Sequence, residues 1–182
     1  MNRKNVKFAE FLLNNMNKTR LESYLMPKRK SFPRYLADEF ESIISLIGKE
    51  EQKEEEEAFS FPEIIDKFII VAIKNEYITD KKIREKNHKD YHFLLNIIKK
   101  KMKLRSEKHF KKTDFVKTLY FLWKVNVEIF ILNDICQMEQ DDSLVADSSR
   151  KMVEMMKERN RLKHLIGEYT NDIVHEVKQY GL

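Results

Sequence analysis

An all-α protein, a bundle of about five to seven helices around one buried helix near residues 113–139, is the fold class that three features predict. Gly and Pro number only three each in 182 residues, which leaves few positions for tight turns or β-hairpins. Lys, Glu, Leu, Ile and Met dominate, a helix-forming composition. The third feature is the stretch Thr113–Met138 (TDFVKTLYFLWKVNVEIFILNDICQM), whose apolar side chains surround most of a helix rather than marking one stripe. Such a helix has to be wrapped by others. Residues 59–182 are expected to form the helical core, and residues 1–58 an N-terminal helical extension with an acidic linker.

In chain order, Val6, Phe8, Phe11, Leu12 and Met16 group on one side of a short helix within residues 1–26. Met26–Pro33 is a connector, because each proline disfavours helix in the residue before it. A second helix is expected from Arg34 to Leu46 or Ile47, stopping near Gly48. The charge run Lys49–Glu57 has nothing to bury and reads as a solvated helix end or linker.

Ser60-Phe61-Pro62-Glu63 carries capping-box spacing with proline in the first turn, so a helix should start there and run through Thr79. Asp66 projects on the same side as Ile70, Ile73 and Tyr77, while Glu63, Lys67 and Lys74 form a polar strip beside it. A carboxylate aimed into an apolar face must find a partner or become protonated. Asp80–Lys103 is the next helix, basic on its outer side and packed through Ile83, Leu94, Leu95, Ile97 and Ile98. Glu85, His88 and His92 share one side of it. The usual zinc pattern puts Glu directly after the first His, and Lys89 stands there instead. No metal or cofactor is implied.

Thr113 or Asp114 should cap the central helix. Asn126, Asn133 and Gln137 project from it in nearly one direction and suggest a hydrogen-bonding strip. Asp142 or Ser143 should cap the last long helix, which is expected to end near Ile166 or Gly167. Its seam of Met152, Met155, Leu162, Ile166 and Tyr169 has Arg159 where an apolar residue belongs. Asp66 and Arg159 are therefore two misplaced charges, and the economical expectation is that they meet. A short helix starting at Thr170 or Asn171 should close the chain near Tyr180.

Net charge is +5, and it is concentrated: Lys81–Lys117 holds fourteen Lys/Arg against four Asp/Glu. Lys99, Lys100, Lys101, Lys103, Arg105, Lys111 and Lys112 could hold nucleic-acid phosphates nonspecifically. Few aromatics stand there to stack on bases. Cys136 is the single cysteine, so no intramolecular disulfide forms, which fits a reducing compartment. Lys124 and Asn126 interrupt the most apolar run, and no membrane span is expected. A cytoplasmic location is the default.

Two blocks carry a resemblance. Glu63-Ile64-Ile65-Asp66-Lys67, then Ile73-Lys74, Glu76 and Ile78-Thr79-Asp80, resemble the opening signature of an uncharacterised bacterial helical family. That family is often encoded near glycosyltransferase and surface-polysaccharide genes. Leu122, Asn126, Asp134, Arg150, Arg159, Leu162-Lys163, Ile166, Glu176, Lys178 and Tyr180 resemble its C-terminal half, so the likeness covers Phe61–Tyr180. Phe130 stands where the family has Trp, Asn133 where it has an acid, and Met156-Lys157 where it has Asn-Asp. The resemblance implies a helical domain in a surface-carbohydrate context and transfers no reaction.

Three functional expectations follow. The first is a non-enzymatic binding or assembly module, possible as a homodimer through its methionines, whose polar cluster of Glu63, Asp66, Lys67, Lys74, Asn126, Asp134 and Arg159 holds a small polar ligand or the helix register. The second is a metal-independent endoribonuclease of the Arg-Asn-x-x-x-His helical toxin type, with Arg159 stabilising phosphorane charge and His164 as acid/base. The third is nonspecific nucleic-acid binding through Lys81–Lys117. No Gly-rich phosphate loop or nucleophile elbow is present, which favours binding over catalysis.

Overall fold

The computed structural model describes residues 30–47, 60–103, 110 and 112–172. Among them the chain forms five α-helices and no strand: α1 (Arg34–Ile44), α2 (Phe61–Tyr77), α3 (Lys81–Lys103), α4 (Lys112–Met138) and α5 (Asp142–Thr170). The expected helix within residues 1–26, the charge run and the closing C-terminal helix lie outside the described residues.

Short connectors make two antiparallel hairpins, α2–α3 and α4–α5, which are the two most extensive helix pairings. Helix α2 also packs on α4 and α5, so it joins the hairpins, and α1 leans on α3. Helix α4 is the buried centre, with Phe115, Leu119, Leu122, Val125 and Leu132 fully enclosed. An aromatic chain ties the first described segment to this core. The Phe32 ring lies 5.6 Å from Trp123 and 6.0 Å from Phe40, and Phe68 lies 6.2 Å from Phe40 and 4.7 Å from Tyr91. Leu36, Phe40, Ile43 and Ile44 of α1 belong to the same apolar cluster as the other helices.

The helix ends differ from the local signals. Ser60 occupies the N-cap of α2, but its side chain makes no capping bond. The Phe61 N–H donates instead to Asp172 Oδ2 at 3.0 Å, a carboxylate brought from beyond the end of α5. Glu63 is drawn away to Lys163, so the expected capping box does not form. Asp80 caps α3 by accepting from the Ile83 N–H at 2.9 Å. Asp141, rather than Asp142 or Ser143, caps α5 by accepting from the Leu144 N–H at 3.0 Å. Helix α1 ends at Ile44 and continues as a tighter turn through Ile47.

Helix α5 runs through Gly167 to Thr170 and stops at Asn171, whose φ of 52° is left-handed. Gly167 serves a close approach and not a stop. The returning Asp172 N–H donates to its carbonyl at 2.9 Å, and a Cβ at 167 would sit 2.6 Å from the Asp172 carbonyl oxygen.

Candidate functional site

The two misplaced charges meet. Asp66, 1% exposed on α2, receives the Arg159 guanidinium from α5. Arg159 Nε donates to Oδ1 at 3.0 Å and Oδ2 at 3.1 Å, and Nη2 donates to Oδ2 as well. Asn126 of α4 adds a third helix: its Nδ2 donates to Asp66 Oδ1 at 3.0 Å and to the Leu122 carbonyl at 3.0 Å. One turn along, Lys163 Nζ lies 2.5 Å from Glu63 Oε1. The i,i+3 pair Glu63/Asp66 on α2 thus faces the i,i+4 pair Lys163/Arg159 on α5, two rungs between antiparallel helices. The hydrogen bond to Asp66 raises the Arg159 pKa against the opposing effect of burial, with the Asp66 and Glu63 charges adding to the rise.

This node is smaller than the expected cluster. Lys67, the residue after Asp66 on α2, is exposed. Lys74 lies eight residues along α2 from Asp66, about 12 Å of helix rise, and its carbonyl caps the helix end at Ile78. Asp134 lies as far along α4 from Asn126 and is half-buried. Among the described residues neither Lys74 nor Asp134 bonds to the Asp66 carboxylate. Asn133 and Gln137 are exposed, so the strip expected with Asn126 reduces to that one residue. Asp66 thus accepts from Arg159 and Asn126 together, on both carboxylate oxygens, and joins α2, α4 and α5.

Sequence reading missed two further buried carboxylates. Glu128 of α4 is 2% exposed and lies 2.7 Å from Lys151 Nζ. Glu158 of α5 accepts from Arg161 Nε at 2.8 Å and from Nη2 at 2.5 Å. Glu128 stands among the apolar residues Val127 to Leu132, on a helix with no polar side that would mark the acid as misplaced. His164 is exposed, with Nδ1 3.5 Å from Glu168 Oε1. It is five residues past Arg159 on a continuous helix, a rotation of about 140° from it. In the basic segment Lys99 pairs with Glu39 at 3.1 Å, Lys100, Lys101 and Lys103 each have partners, Lys112 is exposed, and Arg105 and Lys111 lie outside the described residues. Cys136 is half-buried with Sγ 3.4 Å from Ser149 Oγ.

A cleft of about 710 Å³ lies between the start of α1, the end of α2 and the first three turns of α3. Asn75 and Tyr91 contribute its inner wall, and the exposed Tyr35, Lys81, Arg84, His88 and Lys89 its rim. Lys81, Arg84 and Lys89 make no hydrogen bond or ion pair through their side chains among the described residues. Glu76 and Glu85 also line the cleft. Burial, and after it the nearby Glu76 carboxylate, push the Tyr35 pKa above the ordinary tyrosine value. None of the lining residues belongs to the polar cluster read from sequence. Among the described residues no group of three or more His, Cys, Asp or Glu converges as a metal cage, and no helix is long and apolar enough to cross a membrane. Comparison with known proteins finds no matching family model, no matching curated protein and no matching solved structure.

Proposed function

We propose that the protein is a non-enzymatic helical binding protein whose ligand is a small anionic molecule held in the cleft between α1, α2 and α3. The observation that carries this reading is the set of three uncommitted cations, Lys81, Arg84 and Lys89, on the rim of a concave site of ligand size. Concave shape and unspent positive charge together suit a phosphate or carboxylate. The Asp66–Arg159–Asn126 node is assigned to the helix register, because its acceptors are taken. The endoribonuclease alternative draws less from the geometry: Arg159 is committed to Asp66, and His164 faces elsewhere.

The test is a thermal-shift and calorimetric survey of small phosphates and carboxylates, repeated on Arg84→Glu and Lys89→Glu. At least one compound should bind the wild type and lose affinity in both variants, whose exposed positions leave the fold intact. A survey in which nothing binds, or in which the variants bind as well as the wild type, removes the cleft as a ligand site. RNA incubated without metal should stay intact. Cleavage that disappears in His164→Ala would replace this reading with the endoribonuclease.

A further inference from the structure

His88 and His92, one turn apart on the exposed side of α3, point their rings at each other. Their Nε2 atoms are 3.0 Å apart, with ring centroids at 4.4 Å and ring planes at 89°. We infer that this pair is a bidentate site for a late first-row divalent transition ion, Ni²⁺ or Cu²⁺ ahead of Zn²⁺.

Residues four apart are neighbours on one helix face, and the uninterrupted helix from Lys81 to Lys103 holds their spacing. In the tautomer that protonates Nδ1, each ring keeps an unprotonated Nε2 donor, and the two donors lie 3.0 Å apart. Two metal–nitrogen bonds of about 2.05 Å that span this separation subtend about 94° at the ion. That angle is close to the cis positions of square-planar or octahedral coordination and tighter than a tetrahedron. Imidazole suits Ni²⁺, Cu²⁺ and Zn²⁺, whereas Mg²⁺ and Ca²⁺ call for oxygen. The remaining positions go to water, since no third His, Cys, Asp or Glu converges on the pair among the described residues. If one ring instead carries its proton on Nε2, the same separation is an N–H···N hydrogen bond, which an arriving ion has to displace by shifting that proton to Nδ1.

Calorimetric titration of the full chain with NiCl₂ is the test. One Ni²⁺ should bind per chain and raise the melting temperature in proportion to ln(1 + [Ni²⁺]/Kd). The heat and the shift should be lost in His88→Ala and in His92→Ala, with His164→Ala unchanged as the control. Mg²⁺ should produce neither effect. Both histidines are exposed, so the variants keep the fold, and circular dichroism checks that they do. Nickel binding that survives in His92→Ala, or no saturable binding by the wild type, overturns the proposal. His88 also lines the cleft proposed for the anion, so the titration is run in buffer free of phosphate and carboxylate, and a failed nickel titration leaves the Arg84→Glu and Lys89→Glu comparison standing.

Discussion

Replacing Asp66 with alanine strands the Arg159 guanidinium and frees the Asn126 amide between α2, α4 and α5. Breaking a buried ion pair from one side costs about 3–5 kcal/mol when the survivor is fully enclosed. Arg159 is only partly enclosed, its side chain 23% exposed, so its head can turn toward water. A loss of about 2–4 kcal/mol follows, in line with charge-assisted hydrogen bonds. For a chain of this size that lowers the melting temperature by about 4–16 °C. Urea unfolding followed by circular dichroism gives the free energy, and a cycle through Arg159→Ala and the double variant isolates the pair. A coupling energy of about 1–3 kcal/mol is expected. If Asp66→Ala unfolds within about 0.5 kcal/mol of wild type, or if the single losses simply add, the node is no helix lock and the reasoning fails.

Other perturbations probe separate joints. Lys151→Ala removes the cation 2.7 Å from buried Glu128 and should cost about 2–4 kcal/mol in urea, with much of the loss regained in Glu128→Gln/Lys151→Met. Asp172→Ala takes the cap from the Phe61 N–H and should lower the urea midpoint by the equivalent of about 1 kcal/mol at unchanged slope. Gly167→Ala improves helix propensity yet puts a methyl 2.6 Å from the Asp172 carbonyl oxygen, so melting should fall by the equivalent of about 1–3 kcal/mol. A stabilised Gly167→Ala would show that the close approach relaxes freely. Burial, and after it the Glu39 charge, lift the Tyr91 pKa above the ordinary 10.0. The folded state therefore keeps this proton to higher pH than the unfolded chain. Its contribution is whole below about pH 10 and lost as the pH climbs through the folded value, which tyrosinate absorbance and urea midpoints taken across that range will register.

Periodicity made the helices and the Asp66–Arg159 pair legible. Each charge interrupts an otherwise apolar face, and two interruptions in one core attract the same explanation. Glu128 escaped because α4 is apolar all round, and a helix without a polar side offers no face against which one acid reads as out of place. Local capping chemistry misled at α2: Ser60 and Glu63 have the right spacing, but Lys163 and Asp172, both remote in sequence, compete for the same roles and win. Gly167 misled in the same way, since a glycine that admits a returning backbone looks from sequence like one that ends a helix. The cleft was not legible at all. Its walls come from the start of α1, the end of α2 and the first turns of α3, and only the packing of three helices turns those residues toward one space.

The charged rungs between α2 and α5 answer a problem that apolar packing leaves open. Ile64, Ile65, Phe68 and Ile69 on one helix and Met155, Leu162 and Ile166 on the other would still bury oily surface after sliding by a turn, about 5.4 Å. Sliding by that turn in one direction would pair Asp66 with Lys163 and strand Arg159, and in the other would pair Glu63 with Arg159 and strand Asp66; a buried charge without its partner costs several times the thermal energy. The rungs therefore select one alignment among several of similar apolar burial. Net stability is the lesser part of their role, because apolar residues of matching volume can replace a buried pair at little or no loss. The variant Asp66→Leu/Arg159→Met separates the two roles. It should unfold at nearly the wild-type urea midpoint while its amide spectrum broadens or doubles, and a single sharp set of resonances would mean that shape alone fixes the alignment of α2 on α5.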